Sequence, residues 1–266
     1  MRCIKATILG VPVAFHAPEP LSEDVCRALA PRVSHTASDG GAEVTYELRE
    51  GVTDLAVVRV DASDCVLVDT ARSIDQAAEL IANDLHRWVA EHHPDLLFIH
   101  AGAVEWHGAG VVVPGRSYSG KSSLVAALLE AGARYLSDEF APLDRDGNVH
   151  PYPRHLSLRD GEGTPSLVPA AAFAARTATE PMPVRYVVDA PYVPGASFSP
   201  VQLRGAGPLM ILAYNALVAR SRPAHTIAIL AGLAPHVTVL RSARGDAAAA
   251  ARAILDAIDA DRQLTR

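Results

Sequence analysis

The sequence predicts an α/β fold with a small β-rich lobe at its N-terminal end, on three observations. Residues 1 to about 70 hold short apolar runs divided by turn residues. From Ser73 the apolar spacing changes from that of strands to that of a helix. Near the middle of the chain the run "VVVP" enters a glycine-rich loop that leads directly into an Ala/Leu-rich stretch. A β-rich lobe over residues 1–72 followed by an α/β domain over 73–266 is the expected organisation.

The lobe's strands are expected in "CIKATILGV", "AEVTYELRE", "LAVVRV" and "CVLVDT", separated by "SDGG" and polar turns. Ile74, Ala77, Ala78, Ile81, Leu85 and Trp88 fall on one helical face, Ser73 with Gln76 forms a capping box, and Pro94 ends that helix. "DLLFIH" and "GAGVVVPG" read as two strands joined by "AGAVEWH". In the helix after the loop, Leu124, Val125, Leu128 and Leu129 form a buried stripe, and Gly132 suits its C-terminal cap. "DGN" at 146–148 is a hairpin turn, and the segments 150–173 and 188–208 are rich in Pro and Gly and read as long loops. Helices near "LMILAYNALVAR" and "DAAAAARAILDAI", with a strand at "HVTVL", close the chain.

Composition narrows the function. With 266 residues, 49% hydrophobic and 20% charged, the chain buries a sizeable core. A net charge of -6 supplies no basic field for a nucleic-acid backbone, so no nucleic acid is expected as partner. Cys3, Cys26 and Cys65 are too few and too scattered for a disulfide framework or a paired-cysteine zinc site, which fits a cytoplasmic protein. Pro12 interrupts the first apolar run, which argues against a signal peptide, and no run approaches the ~18 residues of a membrane span. No membrane association is expected, and a homo-oligomer is compatible with the sequence.

"GRSYSGKS", residues 115–122, matches G-x-x-x-x-G-K-[ST] in full. The spacing has a chemical reason. Gly115 and Gly120 let the backbone curl so that amides converge on phosphate oxygens, and the helix opening at Lys121 adds its positive end. The nucleotide is expected against Gly115, Arg116, Ser117, Tyr118, Ser119, Gly120, Lys121, Ser122 and Ser123. In this pattern Lys121 reaches the β and γ phosphates of ATP and the Ser122 hydroxyl ligates magnesium.

One helix later, "RYLSDEF" carries Asp138 and Glu139. A nucleotide site needs a carboxylate for the metal and, where phosphate goes to an alcohol, one to take the proton. On a regular strand, however, adjacent residues face opposite ways, so at most one of the pair faces the phosphates unless the strand ends there. His100 closes "LLFIH". If strands 96–100, 109–113 and 134–138 share a sheet, the ends of the first and third both approach the loop.

Over residues 96 to 160, and chiefly in "IHAGAVEWHGAGVVVPGRSYSGKSSLVAALLEAGARYLSDEF", the chain resembles the catalytic domain of HPr kinase/phosphorylase and its stand-alone serine-kinase relatives, including kinases of lasso-peptide precursors. "PRHLSLR" extends the resemblance to about residue 160. It implies a P-loop kinase-like core with the β-rich lobe appended, and an ATP- and magnesium-dependent kinase that phosphorylates a serine of a peptide or small protein. It also implies that Lys121 binds phosphate, that Ser122 with Asp138 or Glu139 holds magnesium, that Asp138 accepts the alcohol proton, and that His100 sits beside the acidic pair. Three positions depart from the family: Tyr118 replaces a glycine, Ser123 a glutamate and Glu139 an aspartate. No segment resembles the signature used for phosphorolysis, so the forward reaction alone is implied. A small-metabolite kinase and a nucleotide-sensing module without transfer are the alternatives. Arg154, Arg159 and Arg204 are candidates to stabilise charge on the transferred group, Arg159 foremost because the resemblance reaches it.

Overall fold

The computed structural model describes residues 1–116, 119–159 and 164–264. The chain divides into two compact units, Met1–His93 and Pro94–Arg266. Among the described residues no helix is long and apolar enough to cross a membrane.

In the first unit, β1 (Arg2–Ile8), β2 (Val11–Ala17), β3 (Thr36–Ala37), β4 (Val44–Glu50), β5 (Leu55–Asp61) and β6 (Cys65–Ala71) form one sheet in the order β3-β1-β2-β4-β5-β6. Helices α1 (Ser22–Leu29) and α2 (Ile74–His92) pack against each other, α2 also lying on β5 and β6. The sequence pattern placed α2 at the head of the second domain. It belongs instead to the first unit, because Ala77, Ala78, Ile81, Leu85 and Trp88 bury their face there. The expected cap forms: Ser73 Oγ accepts from Gln76 N at 3.2 Å, while the Gln76 side chain accepts from Arg72 N rather than from Ser73. The three cysteines are unpaired.

The second unit carries the strand, loop and helix of the glycine-rich segment. β7 (Leu97–Trp106) and β8 (Ala109–Pro114) form a hairpin, and α3 (Lys121–Glu130) follows the loop. β9 (Arg134–Ser137) and β10 (Phe140–Leu143) run back along the other edge of β7. Beyond them come β11 (Asn148–Val149), the hairpin β12 (Leu156–Arg159) and β13 (Pro165–Val168), then β14 (Met182–Asp189) and β15 (Val201–Arg204). Helices α4 (Ala206–Asn215) and α5 (Pro223–Leu233), β16 (Thr238–Arg241) and α6 (Ala247–Leu264) complete the unit. The main sheet runs β11-β10-β7-β8-β14-β16-β15, with β14 parallel to both β8 and β16.

Two sequence expectations change here. "AGAVEWH" is not a connection: β7 continues through it to Trp106, and the turn is confined to His107 and Gly108, both at positive φ. The small residues that look like a loop are those of a strand paired on both edges and covered by α3. β14, to most of which the sequence reading gave no element, is a central parallel strand. Pro183 and the exposed Arg185 interrupt the apolar run at its start, while Tyr186, Val187 and Val188 are buried at its end.

β8 is buried along its whole length, which is why it reads as a continuous apolar run rather than an alternating one. Leu124, Val125 and Leu128 of α3 join Ile254 and Ile258 of α6 and Val111, Val113 and Val188 of the sheet in one core. The C-terminus of α3 is tied by two bonds, Gly132 N to Leu129 O at 2.9 Å and Ala133 N to Leu128 O at 3.1 Å, with Gly132 at φ 103°. Truncating Leu128, which is fully buried at the centre of this core, removes packing that the neighbours cannot refill. Leu128→Ala is expected to lower stability by about 2–5 kcal/mol in urea unfolding, against less than ~0.5 kcal/mol for the exposed Glu130→Ala.

Candidate functional site

The loop is anchored at both ends. Gly115 N donates to His100 O at 3.2 Å, extending the β7–β8 pairing by one residue. At the other end Gly120 caps α3 at φ 74°, a conformation that favours glycine. Arg244, only 2% exposed, donates from Nη2 to Gly120 O at 2.8 Å and to Ser119 O at 3.2 Å. A Cβ on Gly120 would lie 2.7 Å from that nitrogen, so backbone conformation and the arginine's approach both exclude a side chain. Ser117 and Tyr118 lie outside the described residues.

Lys121 and Ser122 open α3, and the chain returns to them through the acidic pair. β9 and β10 are successive pieces of one path along β7: Ser137 faces Ala103, Phe140 faces His100, and Ala101 N donates to Glu139 O at 3.1 Å. Between the pieces Glu139 takes φ 78°. For a residue with a long side chain this conformation costs about 1–3 kcal/mol, and it breaks the strict alternation of a strand. Both carboxylates consequently meet the start of α3. Ser122 Oγ donates to Asp138 Oδ2 at 2.7 Å, and Lys121 Nζ lies 3.4 Å from Glu139 Oε1.

His100 completes the cluster, as the sequence led one to expect. Its Nε2 is 2.8 Å from Glu139 Oε2 and 3.4 Å from Lys121 Nζ. An ionised carboxylate only accepts, so in the shorter contact Nε2–H donates to Glu139. Gly102, two residues along β7, lies beneath these groups. A Cβ there would collide with Val125 of α3 and approach Asp138 Oδ1 and Lys121, so glycine lets the helix sit close to the strand.

The two carboxylates differ sharply in their electrostatics. Asp138 is 0% exposed, and burial, reinforced by the Glu139 charge, raises its pKa despite Lys121, the Ser122 hydroxyl and Arg154. Burial also pushes Glu139 upward, but the His100 hydrogen bond and the charges of Lys121, His100 and Arg154 outweigh it and hold the carboxyl at about 2. Adjacent acids driven apart in this way are suited to different tasks.

Arg116, Ser123 and Arg159 line a cleft of about 200 Å³ together with Gly120, Lys121, Ser122, Glu139 and Ser157. Arg154 stacks over Phe140 at 5.8 Å, and Arg204 is drawn into an ion pair with Asp261 of α6 at 3.1 Å. Three contributors were not singled out from the sequence: Arg244, Gly102 and Ser157, whose backbone N donates to Asp138 Oδ2 at 3.3 Å. The serine of "HLSLR" was within reach of sequence reasoning, because it follows the acidic pair closely. Arg244, more than 120 residues from the loop it clamps, had no local signal.

A divalent cation fits these residues. Asp138 Oδ1 is buried without a hydrogen-bond partner, and Oδ2 already holds the Ser122 hydroxyl. Among the described residues no three His, Cys, Asp or Glu side chains form a metal cage. That arrangement suits magnesium, which takes one or two carboxylates and completes its shell with phosphate and water.

The fold and site define a mixed α/β chain with a glycine-rich loop and an acidic pair at one end of a largely buried sheet. No family model and no curated protein matches the chain. Among solved structures it is similar to the Hpr(Ser) kinase/phosphatase from Coxiella burnetii, at 14% identity and a TM-score of 0.36, over 63% of this chain and 97% of that one.

The Glu139 cluster makes stability depend on acid in a defined direction. A carboxyl held at about 2, below its ordinary 4.5, adds stability that is fully present above about 4.5 and is lost as the pH falls towards about 2. Glu139→Gln lacks this contribution. The difference in melting temperature between wild type and Glu139→Gln is therefore expected to be largest near pH 7 and to shrink through that window.

Proposed function

We propose that this protein is an ATP- and magnesium-dependent kinase that transfers the γ-phosphoryl group to a hydroxyl, a serine of a peptide or small protein. The observation that carries the reading is the convergence of Lys121 and Ser122, at the positive end of α3, with Asp138, Glu139 and His100 from the facing strands.

Each group has a task in this reading. The Lys121 ammonium, near Glu139 and His100, would be the group that meets the β and γ phosphates. The Ser122 hydroxyl and a carboxylate of the acidic pair would hold magnesium, which would offset the charge of those phosphates. Asp138 is the proton acceptor, since burial raises its pKa and it stands at the start of α3 beside Ser122. The acceptor oxygen bonds to the γ phosphorus, the bond to the bridging oxygen of ADP breaks, and the hydroxyl proton passes to Asp138. Glu139, ionised throughout, fixes His100 and steadies the positive charge of Lys121. Arg116 and Arg159, on the cleft wall, face the transferred group.

Lys121→Ala is expected to abolish nucleotide-dependent transfer while circular dichroism remains that of the folded chain; unchanged ATP affinity and turnover would remove the phosphate-loop reading. Asp138→Asn keeps shape and polarity but accepts no proton, so single-turnover transfer from labelled ATP to a serine peptide should fall about 10²- to 10⁴-fold. Glu139→Gln in the same assay reports on the metal. A higher magnesium requirement, relieved by excess magnesium, would assign Glu139 to the cation, and an unchanged requirement would assign Asp138.

A further inference from the structure

The cleft beside the acidic pair, about 200 Å³, is smaller than the ~300–1,000 Å³ of pockets that enclose whole ligands. It has room for phosphate groups and an attacking hydroxyl, but not for an entire nucleotide. A second cleft of about 410 Å³ opens on the other side of the same loop. Arg116 and Lys121 line both, so the two clefts meet at the phosphate-binding residues.

The sheet order explains the arrangement. β8, which feeds the loop, lies between β7 and β14. The acids stand on the β7 side, at the β9–β10 break, while Asp189, Ala190 and Pro191 at the end of β14 belong to the second cleft. A phosphate chain whose reactive end points to the acids must leave the loop in the opposite direction, towards β14. There the walls change character. Pro191, Ile211 and Tyr214 are apolar or aromatic, Asn215 is polar, and Tyr214 is 80% exposed, an aromatic ring with a free face at the mouth of the cleft. Arg244 forms part of the wall, buried but for 2%, with Nε lacking a hydrogen-bond partner and its guanidinium 5.7 Å from the Tyr192 ring.

We propose that this second cleft receives the aromatic base and ribose of a nucleoside triphosphate, the base stacking on Tyr214 and packing against Ile211 and Pro191, with Arg244 offering its charge to the phosphate nearest the ribose. The inference rests on the phosphate-loop reading above and assigns the part of the donor that the loop does not hold. It also divides the site: the donor enters from the β14 side and the acceptor hydroxyl from the cleft of Arg116 and Arg159.

The test is calorimetry on the full chain with two probes, magnesium ATP and magnesium tripolyphosphate, which carries the phosphates without base or ribose. Wild type is expected to bind ATP more tightly. Tyr214→Ala should weaken ATP about ten-fold, Tyr214→Phe should retain it, and both should leave tripolyphosphate affinity as in wild type. Ile211→Trp, which fills the cleft, should likewise weaken ATP and spare tripolyphosphate. Equal binding of both probes to wild type, or wild-type ATP affinity in both Tyr214→Ala and Ile211→Trp, would overturn the inference while leaving the loop reading in place. Failure of wild type to bind either probe would overturn both.

Discussion

The site depends on the interruption of strand pairing at Asp138 and Glu139. Had β9 run into β10 without a break, alternation would have turned one carboxylate away from the loop. The left-handed conformation of Glu139 prevents this at a local cost of about 1–3 kcal/mol, and the neighbours on either side keep it in place. β7 holds both flanking pieces in register, and Ala101 N bonds to the carbonyl of the strained residue itself. A conformation with an intrinsic penalty thus becomes the fixed one, because relaxing it would disrupt pairing on both sides.

The charges then organise themselves around that break. Lys121, 4% exposed, is nearly dry and lies within ion-pair distance of Glu139, which in turn bonds His100. Asp138, one residue away and fully buried, has among the described residues no ion-pair partner and keeps one oxygen without a hydrogen bond. The two acids therefore stand in different electrostatic surroundings, Glu139 beside Lys121 and His100 and Asp138 beside the Ser122 hydroxyl. That asymmetry underlies the separate tasks given to the two acids in the proposed kinase.

Long-range contacts fix the loop as much as its own glycines do. Arg244 follows β16, near the end of the chain, yet it bonds the carbonyls of Ser119 and Gly120 and fills the space a side chain on Gly120 would need. Gly102 plays the equivalent part from below by admitting Val125. Both contacts arise because β7, β8, β14 and β16 lie in one sheet and bring their ends to the same place.

Short-range chemistry was legible in the sequence. The loop, α3 with its glycine cap, the Gly147 turn, the stripe of α2 and the candidate residues Lys121, Ser122, Asp138 and His100 all follow from periodicity, capping and motif spacing within a few tens of residues. The strand nature of "AGAVEW", the central place of β14, the attachment of α2 to the first unit and the partnership of Arg244 with the loop did not. Strand pairing and buried polar contacts are decided by residues distant in sequence, and a strand covered on both faces loses the alternation that would announce it. The sequence by itself determined the glycine-rich loop, the acidic pair and His100 as the candidate groups. Only the tertiary structure decided that both carboxylates face the lysine, because a single backbone angle at Glu139, held by pairing across the sheet, sets where they point.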